Sequence, residues 1–129
     1  QKHLENLGRF LQEFRTRYKL EGDVIRVEGH TDDVPMGKKI KYSNNWELSV
    51  ARATNVGVFM IEKNSYDPNL ISITGHADTR PRISYISKTG QRKQGKALKQ
   101  ARKANRRVDL VFARPAVTEE IRRFFPEQE

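Results

Sequence analysis

The sequence predicts an α+β fold: a small mixed sheet of about three or four strands, βαβ-like at its centre, with helices packed on one face. Three observations predict it. First, the run Ile25-Arg-Val-Glu-Gly-His-Thr-Asp32 is echoed by Ile71-Ser-Ile-Thr-Gly-His-Ala-Asp78, so two short apolar runs end alike. Second, a long helical segment lies between them, the arrangement of two parallel strands joined by a crossover helix. Third, Arg107–Ala113 places Val108, Leu110 and Phe112 on one face and Asp109 and Val111 on the other, a late strand.

The elements follow in order. Over residues 3–20, Leu4, Leu7, Leu11, Phe14 and Tyr18 recur at alternating steps of three and four, the stripe of a core-facing helix. The same stripe could continue a coiled coil from upstream, but it is too short to establish one. Glu21-Gly22-Asp23 should turn the chain. Residues 24–28 form the first strand, and a Lys-rich loop with Lys38, Lys39 and Lys41 runs from Thr31 to Tyr42. The second helix spans 45–63. Asn44 is its expected N-cap, and Glu47 stands at capping-box spacing. Asp67-Pro68-Asn69 makes the exit turn before the second strand, 70–74. Ser84–Gly90 reads as a flexible piece, and a helix over 91–104 would line up Arg92, Lys96, Lys99 and Lys103. After Pro115, a short amphipathic helix would carry Ile121, Phe124 and Phe125.

These elements divide the chain into an N-terminal helix (1–20), a central domain (21–114) and a C-terminal tail (115–129). At 129 residues it suits one domain with its own core. It has no cysteine, which excludes disulfides and thiolate metal sites. No apolar run approaches the roughly 20 residues of a membrane span. The chain starts at Gln1 without a signal-like stretch and reads as a piece of a longer protein. The net charge of +9 points to an anionic partner, whether nucleic acid, membrane surface or cell-wall polymer.

The chemistry concentrates between Gly29 and Ala53. Asp32 leaves the end of the first strand. Asn45, Ser49 and Arg52 share a helix face that continues into Val56, Phe59 and Met60. An arginine on a stripe that becomes core needs a carboxylate, from the chain or from a ligand. Arg52 and the free N–H groups of the helix mouth would attract an anion, and Asp32 would attract a cation. The pair suits a zwitterion. Spacing alone leaves open the other possibility, that Asp32 and Arg52 pair with each other.

The run GHTD, then NWELSVARA, then Asn105-Arg106-Arg107-Val108 resembles the OmpA-like peptidoglycan-binding domain across about residues 20–113. In form it resembles most the branch that holds the MotB and PomB flagellar stator proteins. The resemblance implies that Asp32 and Arg52 grip the zwitterionic end of diaminopimelate in the peptidoglycan stem peptide. It also implies that Asn45, Arg106, Thr31 and Leu48 belong to the site. It implies a periplasmic domain of a membrane-anchored parent, a homodimer with a MotA-like channel partner, and no cofactor. Where family members carry Gly-Arg-Ala-x-Asn, this chain has Ala101-Arg102-Lys103-Ala104-Asn105, so the backbone leading to Arg106 departs from the pattern.

Strand alternation favours Arg106 over Arg107 as the site residue. The two His-x-Asp turns bring His30, Asp32, His76 and Asp78 to one sheet edge, but neither pair has helical ligand spacing. Both histidines are therefore expected to bond their turns rather than a metal. Nothing resembles an activated nucleophile or a phosphate loop, so the domain reads as a binder and not an enzyme. The alternatives are an outer-membrane or lipoprotein tether, a stator-like subunit of another machine, a dimerisation module and a basic nucleic-acid binder. The last lacks aromatic platforms among its basic residues and leaves Asp32 unexplained.

Overall fold

The structure is a computed structural model and describes residues 2–18, 24–37 and 41–113. Its elements are α1 (Lys2–Tyr18), β1 (Val24–Gly29), α2 (Asn45–Asn64), β2 (Ile71–Gly75), α3 (Gly95–Asn105) and β3 (Val108–Ala113), with a 3-10 turn at Pro68–Leu70. The sheet has three strands in the order β2-β1-β3. β1 pairs parallel with β2, in register from Ile25↔Ile71 to Gly29↔Gly75, and antiparallel with β3, from Val24↔Ala113 to Gly29↔Val108. The repeated motif is thus a structural repeat across neighbouring strands, with α2 as the crossover.

Period-two alternation sorts the sheet's two faces. Ile25 and Val27 are fully buried and, with Met60, Ala53, Leu11 and Tyr66, form the core. Leu110 and Phe112 pair opposite them and pack against the same cluster. α2 crosses this face so closely that a Cβ on Gly29 would run into the Ser49 carbonyl oxygen, and one on Gly75 would lie 2.6 Å from Ser49 Oγ. Two glycines at matching strand ends therefore let one helix turn sit on the sheet. The Ser49 hydroxyl closes the contact: it donates to the Trp46 carbonyl (2.8 Å) and accepts from the Ala77 amide (3.1 Å).

α2 begins as its sequence dictates. The Asn44 side chain accepts from the Glu47 amide at 2.9 Å, and the Glu47 carboxylate accepts from the Ser43 amide, one residue earlier than in a standard capping box. Ser65, in the left-handed region at φ 53°, ends the helix, and the Tyr66 amide closes back on the Met60 carbonyl (3.1 Å). α1 lies on α2, where Gly8 leaves room for Asn64, and Gln12 donates to the Asn64 carbonyl. Leu11 enters the core and Phe14 packs on Phe112, ring centres 5.4 Å apart. The side chains of Leu4, Leu7 and Tyr18, the turn at 21–23, Lys38, Lys39 and the tail with Ile121, Phe124 and Phe125 lie outside the described residues.

Two expectations change. Ser84–Gly90 is not an irregular flexible piece. It is a hydrogen-bonded turn whose arms meet at an Ile86↔Arg92 bridge, held by Ser87 N–H to Gln91 O and Lys93 N–H to Tyr85 O. α3 starts at Gly95 rather than Gln91, because that bridge keeps Arg92 extended. Arg92 therefore drops out of the predicted four-residue basic face.

Candidate functional site

The site assembles where β1 ends, beside α2 and the α3–β3 junction. Thr31 follows the strand and is buried, its amide bonded to the Ala77 carbonyl at 2.8 Å and its hydroxyl donating to the Asp32 carbonyl at 2.9 Å. Thr31 thus fixes the backbone behind Asp32. One carboxylate oxygen of Asp32 accepts from the Val34 amide (3.0 Å), an Asx-type turn. The other accepts from Arg106 Nη1 at 2.7 Å. Asn45, the first residue of α2, donates its side-chain amide to the Val34 carbonyl (3.1 Å), tying loop to helix. Leu48, half-buried, lies one helical turn beyond.

Asp32 and Arg52 do not pair with each other. Asp32 pairs with Arg106, and among the described residues Arg52 makes no ion pair. Arg52 instead lines an open groove of about 450 Å³ with Asn55, Val56, Arg106, Arg107 and Val108. None of the first-turn residues of α2 lines that groove, so the cation beside Arg52 is Arg106 and not the helix mouth. The physical reason is the antiparallel β3. It delivers Arg106 to the Asp32 end of β1 on the α2 side, where alternation from Val108 predicts it.

Arg107 borders that groove but sends its guanidinium to the opposite face. It bonds Asp109 through Nε (3.1 Å) and donates to the Arg80 carbonyl. That open face carries a compact charged cluster. His76 Nε2 lies 2.6 Å from Glu28 and stacks on His30, ring centres 5.0 Å apart. His30 is 3% exposed, and its Nε2 stands 3.3 Å from Asp109. Burial and then the neighbouring Arg107 cation hold the His30 ring below its ordinary 6.5. For Glu28 burial pushes upward, but the His76 hydrogen bond and Arg26 outweigh it, so the carboxyl lies below 4.5. His76 thus bonds a strand carboxylate rather than its own turn, and neither ring nitrogen of His30 has a hydrogen bond among the described residues. Asp78 is exposed, and Asp32 faces away toward Arg106. Among the described residues no group of three or more His, Asp or Glu side chains is placed to hold a metal ion.

One residue escaped the sequence reading. Asp33, next to Asp32, holds Arg102 (Nε at 2.8 Å) and Arg92 together. Burial alone would raise its carboxyl, yet the two guanidinium hydrogen bonds bring it below 3.8. Its partners are 59 and 69 residues away, so no local pattern marks it. Asn105, buried completely, bonds both the amide and the carbonyl of Ile83. Together Asp33 and Asn105 clasp the long 80–105 segment against the Asp32 loop.

Comparisons with known proteins identify relatives of the chain. The profile of the OmpA family matches residues 1–95, which takes in Asp32 and Arg52 and stops short of Arg106. The chain is 31% identical over 117 residues to YtxE, an uncharacterized protein of Bacillus subtilis, covering 91% of this chain and 43% of that one. It is 33% identical over 88 residues to Motility protein B of the same organism, covering 68% of this chain and 29% of that one. It therefore spans less than half the length of either. The periplasmic domain of Helicobacter pylori MotB shares the fold, with a TM-score of 0.65 at 22% identity over 97% of this chain and 71% of that one. The cell wall anchor of the T6SS from Pseudomonas aeruginosa matches at 30% identity and a TM-score of 0.54, over 71% of this chain and 56% of that one. The family match over residues 1–95, with the MotB-like architecture behind it, shows that this chain belongs to the OmpA family.

Proposed function

We propose that this domain binds peptidoglycan without breaking a bond, by gripping the free zwitterionic end of a diaminopimelate residue. The observation that carries the reading is the groove in which Arg52, with no carboxylate partner among the described residues, stands beside Arg106, which holds Asp32. A ligand ammonium would take the place of Arg106 on Asp32. Its neighbouring carboxylate would lie between Arg52 and the released Arg106, so each of these charges has a partner in the complex. Exchange of one ion pair for two avoids leaving a half-buried charge alone, the costly outcome. Thr31 and Asn45 hold the Asp32 loop, and Leu48 belongs to the same helix turn. The domain needs no cofactor for this and acts as a non-catalytic anchor.

The parent protein is, in our reading, a membrane-anchored stator subunit of the MotB kind, dimeric, with its wall-binding domain in the periplasm and a MotA-like channel partner. The likeness to Motility protein B supports it. Among the described residues no helix is long and apolar enough to cross a membrane, so the anchor would lie elsewhere in the parent. A second reading, a wall anchor for another machine, draws on the likeness to the T6SS anchor. Either role uses the same site.

The test is pull-down by purified peptidoglycan sacculi at low and high salt, with Asp32→Ala and Arg52→Ala beside the native domain. Binding that persists in high salt and disappears in both variants supports the zwitterion site. Binding that both variants retain would refute it.

A further inference from the structure

The segment from Arg80 to Arg107 contains no acidic residue, yet its cations fall into two groups. Arg92 and Arg102 are held by Asp33, Arg106 by Asp32 and Arg107 by Asp109. The lysines are held by nothing: Lys88, Lys96, Lys99 and Lys103 are exposed, and none makes an ion pair among the described residues. Arg92, Arg102, Arg106 and Arg107 thus act as structural clasps, while these lysines, with the exposed Arg80 and Arg82, carry charge that no carboxylate among the described residues neutralises. On α3, Lys96, Lys99 and Lys103 fall within an arc of about 60° at 100° per residue. They are spaced about 4.5 and 6 Å along the axis at 1.5 Å per residue. That row adjoins Arg102, which is bonded to the residue next to Asp32.

We propose that the outer face of α3, built on Lys96, Lys99 and Lys103, is a second binding surface, for a linear phosphodiester polyanion lying alongside the ligand of the Asp32 groove. The chemistry selects this class. Ammonium groups are hydrated point charges that suit a flexible chain with one charge per short repeat, whereas bidentate recognition on this helix would need a free guanidinium fork, and Arg102, the arginine of α3, is held by Asp33. Sequence reading of nucleic acid lacks its tools too, because Tyr85, the aromatic ring of this region, lies under Arg92 at 5.0 Å. Binding in a lipid surface would need large apolar residues beside the lysines, and the exposed positions of α3 are Gly95, Ala97 and Gln100 apart from the lysines themselves. The surface rests on the proposed function only for where the polymer would be met. Its own binding is independent of the groove.

The experiment measures fluorescence anisotropy of labelled poly(glycerol phosphate) oligomers with the whole 129-residue chain at 50 and 200 mM salt. The variants are the triple Lys96→Gln/Lys99→Gln/Lys103→Gln and, separately, Asp32→Ala. The native chain should bind and lose about tenfold or more in affinity between the two salts, as counterion release requires. The triple variant should lose at least about tenfold at 50 mM with a flatter salt dependence, and it should melt at the native temperature because the three lysines are exposed and make no ion pair among the described residues. Asp32→Ala should bind as the native chain does, even where it no longer binds sacculi in high salt. The proposal is overturned if the native chain does not bind the polymer, or if the triple variant binds it as well as the native chain. It is also overturned if duplex DNA or phosphatidylglycerol vesicles of matched charge bind tenfold more tightly than the polymer.

Discussion

The two Gly-His-x-Asp turns start from the same register and end in different chemistry. Gly29 and Gly75 face each other across the parallel pair, and both lie under the same turn of α2. Beyond them the copies diverge. In the first, Asp32 is part-buried and held in a turn, ready for a cation, with Arg106 on it. In the second, Ala77 takes the left-handed region at φ 54° and gives its amide to Ser49 and its carbonyl to Thr31, while Asp78 is exposed. One turn is the candidate site and the other is the scaffold that holds it. The difference comes from position in the sheet. The first turn ends the central strand and is met by β3 and its leading arginine, whereas the second ends an edge strand with β1 as its single neighbour.

Experiments can break or sharpen that contrast. The largest effect is expected from Asp32→Ala or Arg52→Ala. Loss of one partner of a hydrogen-bonded charge pair costs about 2–5 kcal/mol, so affinity for peptidoglycan fragments should fall by roughly 30-fold or more, read by calorimetry. Next come the matched glycines. Gly29→Ala drives a methyl into backbone and should lower unfolding stability by about 3 kcal/mol, the upper end for overpacking. Gly75→Ala meets mainly side-chain atoms, Val50 at 2.5 Å and Ser49 Oγ at 2.6 Å, and reaches backbone only at the Val50 nitrogen, 2.9 Å away, so the loss should be smaller, about 2 kcal/mol in urea unfolding. Equal losses would mean that α2 does not distinguish the two strands.

A smaller effect concerns pH. His30 is held below 6.5 by burial and by Arg107, with Asp109, His76 and Glu28 also facing it. As pH falls below about 6.5 the unfolded chain takes up the proton before the folded one does, so stability present at neutral pH is lost on acidification. Glu28 and Asp33, both held low, extend the loss through the carboxylate range below 4.5 and 3.8. Thermal unfolding from pH 7.5 to 5.5 should show the His30 part, and His30→Gln should flatten it. The smallest effect is expected from Asp78→Ala. This exposed carboxylate should change stability by less than about 0.5 kcal/mol and leave binding intact. A binding loss there comparable to that of Asp32→Ala would erase the distinction between the turns.

Local chemistry made most of the fold legible. The strand echo, the Asn44 cap and the apolar periodicity of α2 are all short-range signals, and each lies within a residue or two of its expected place. The direction of Arg106 also followed from alternation. What stayed hidden was long-range or broken by a neighbour. Asp33 gains its role from arginines far along the chain, and nothing near it distinguishes it from a solvated loop residue. The start of α3 was missed because the Ile86↔Arg92 bridge, not helix propensity, decides where the helix can begin. That Arg52 makes no ion pair among the described residues could not be read either. Spacing allowed Asp32, and only the arrival of β3 gives that carboxylate to Arg106 instead.

The most direct test of the central claim uses the ligand's own charges. A stem peptide ending in diaminopimelate and the same peptide ending in lysine differ by one carboxylate, the group assigned to Arg52 and Arg106. Calorimetric titration of both into the domain should show binding of the diaminopimelate peptide and a loss of about 2 kcal/mol or more for the lysine peptide, in keeping with a lost charge-assisted hydrogen bond. Equal affinity for the two peptides would contradict the account, because the groove would then bind its ligand without the arginines that define it.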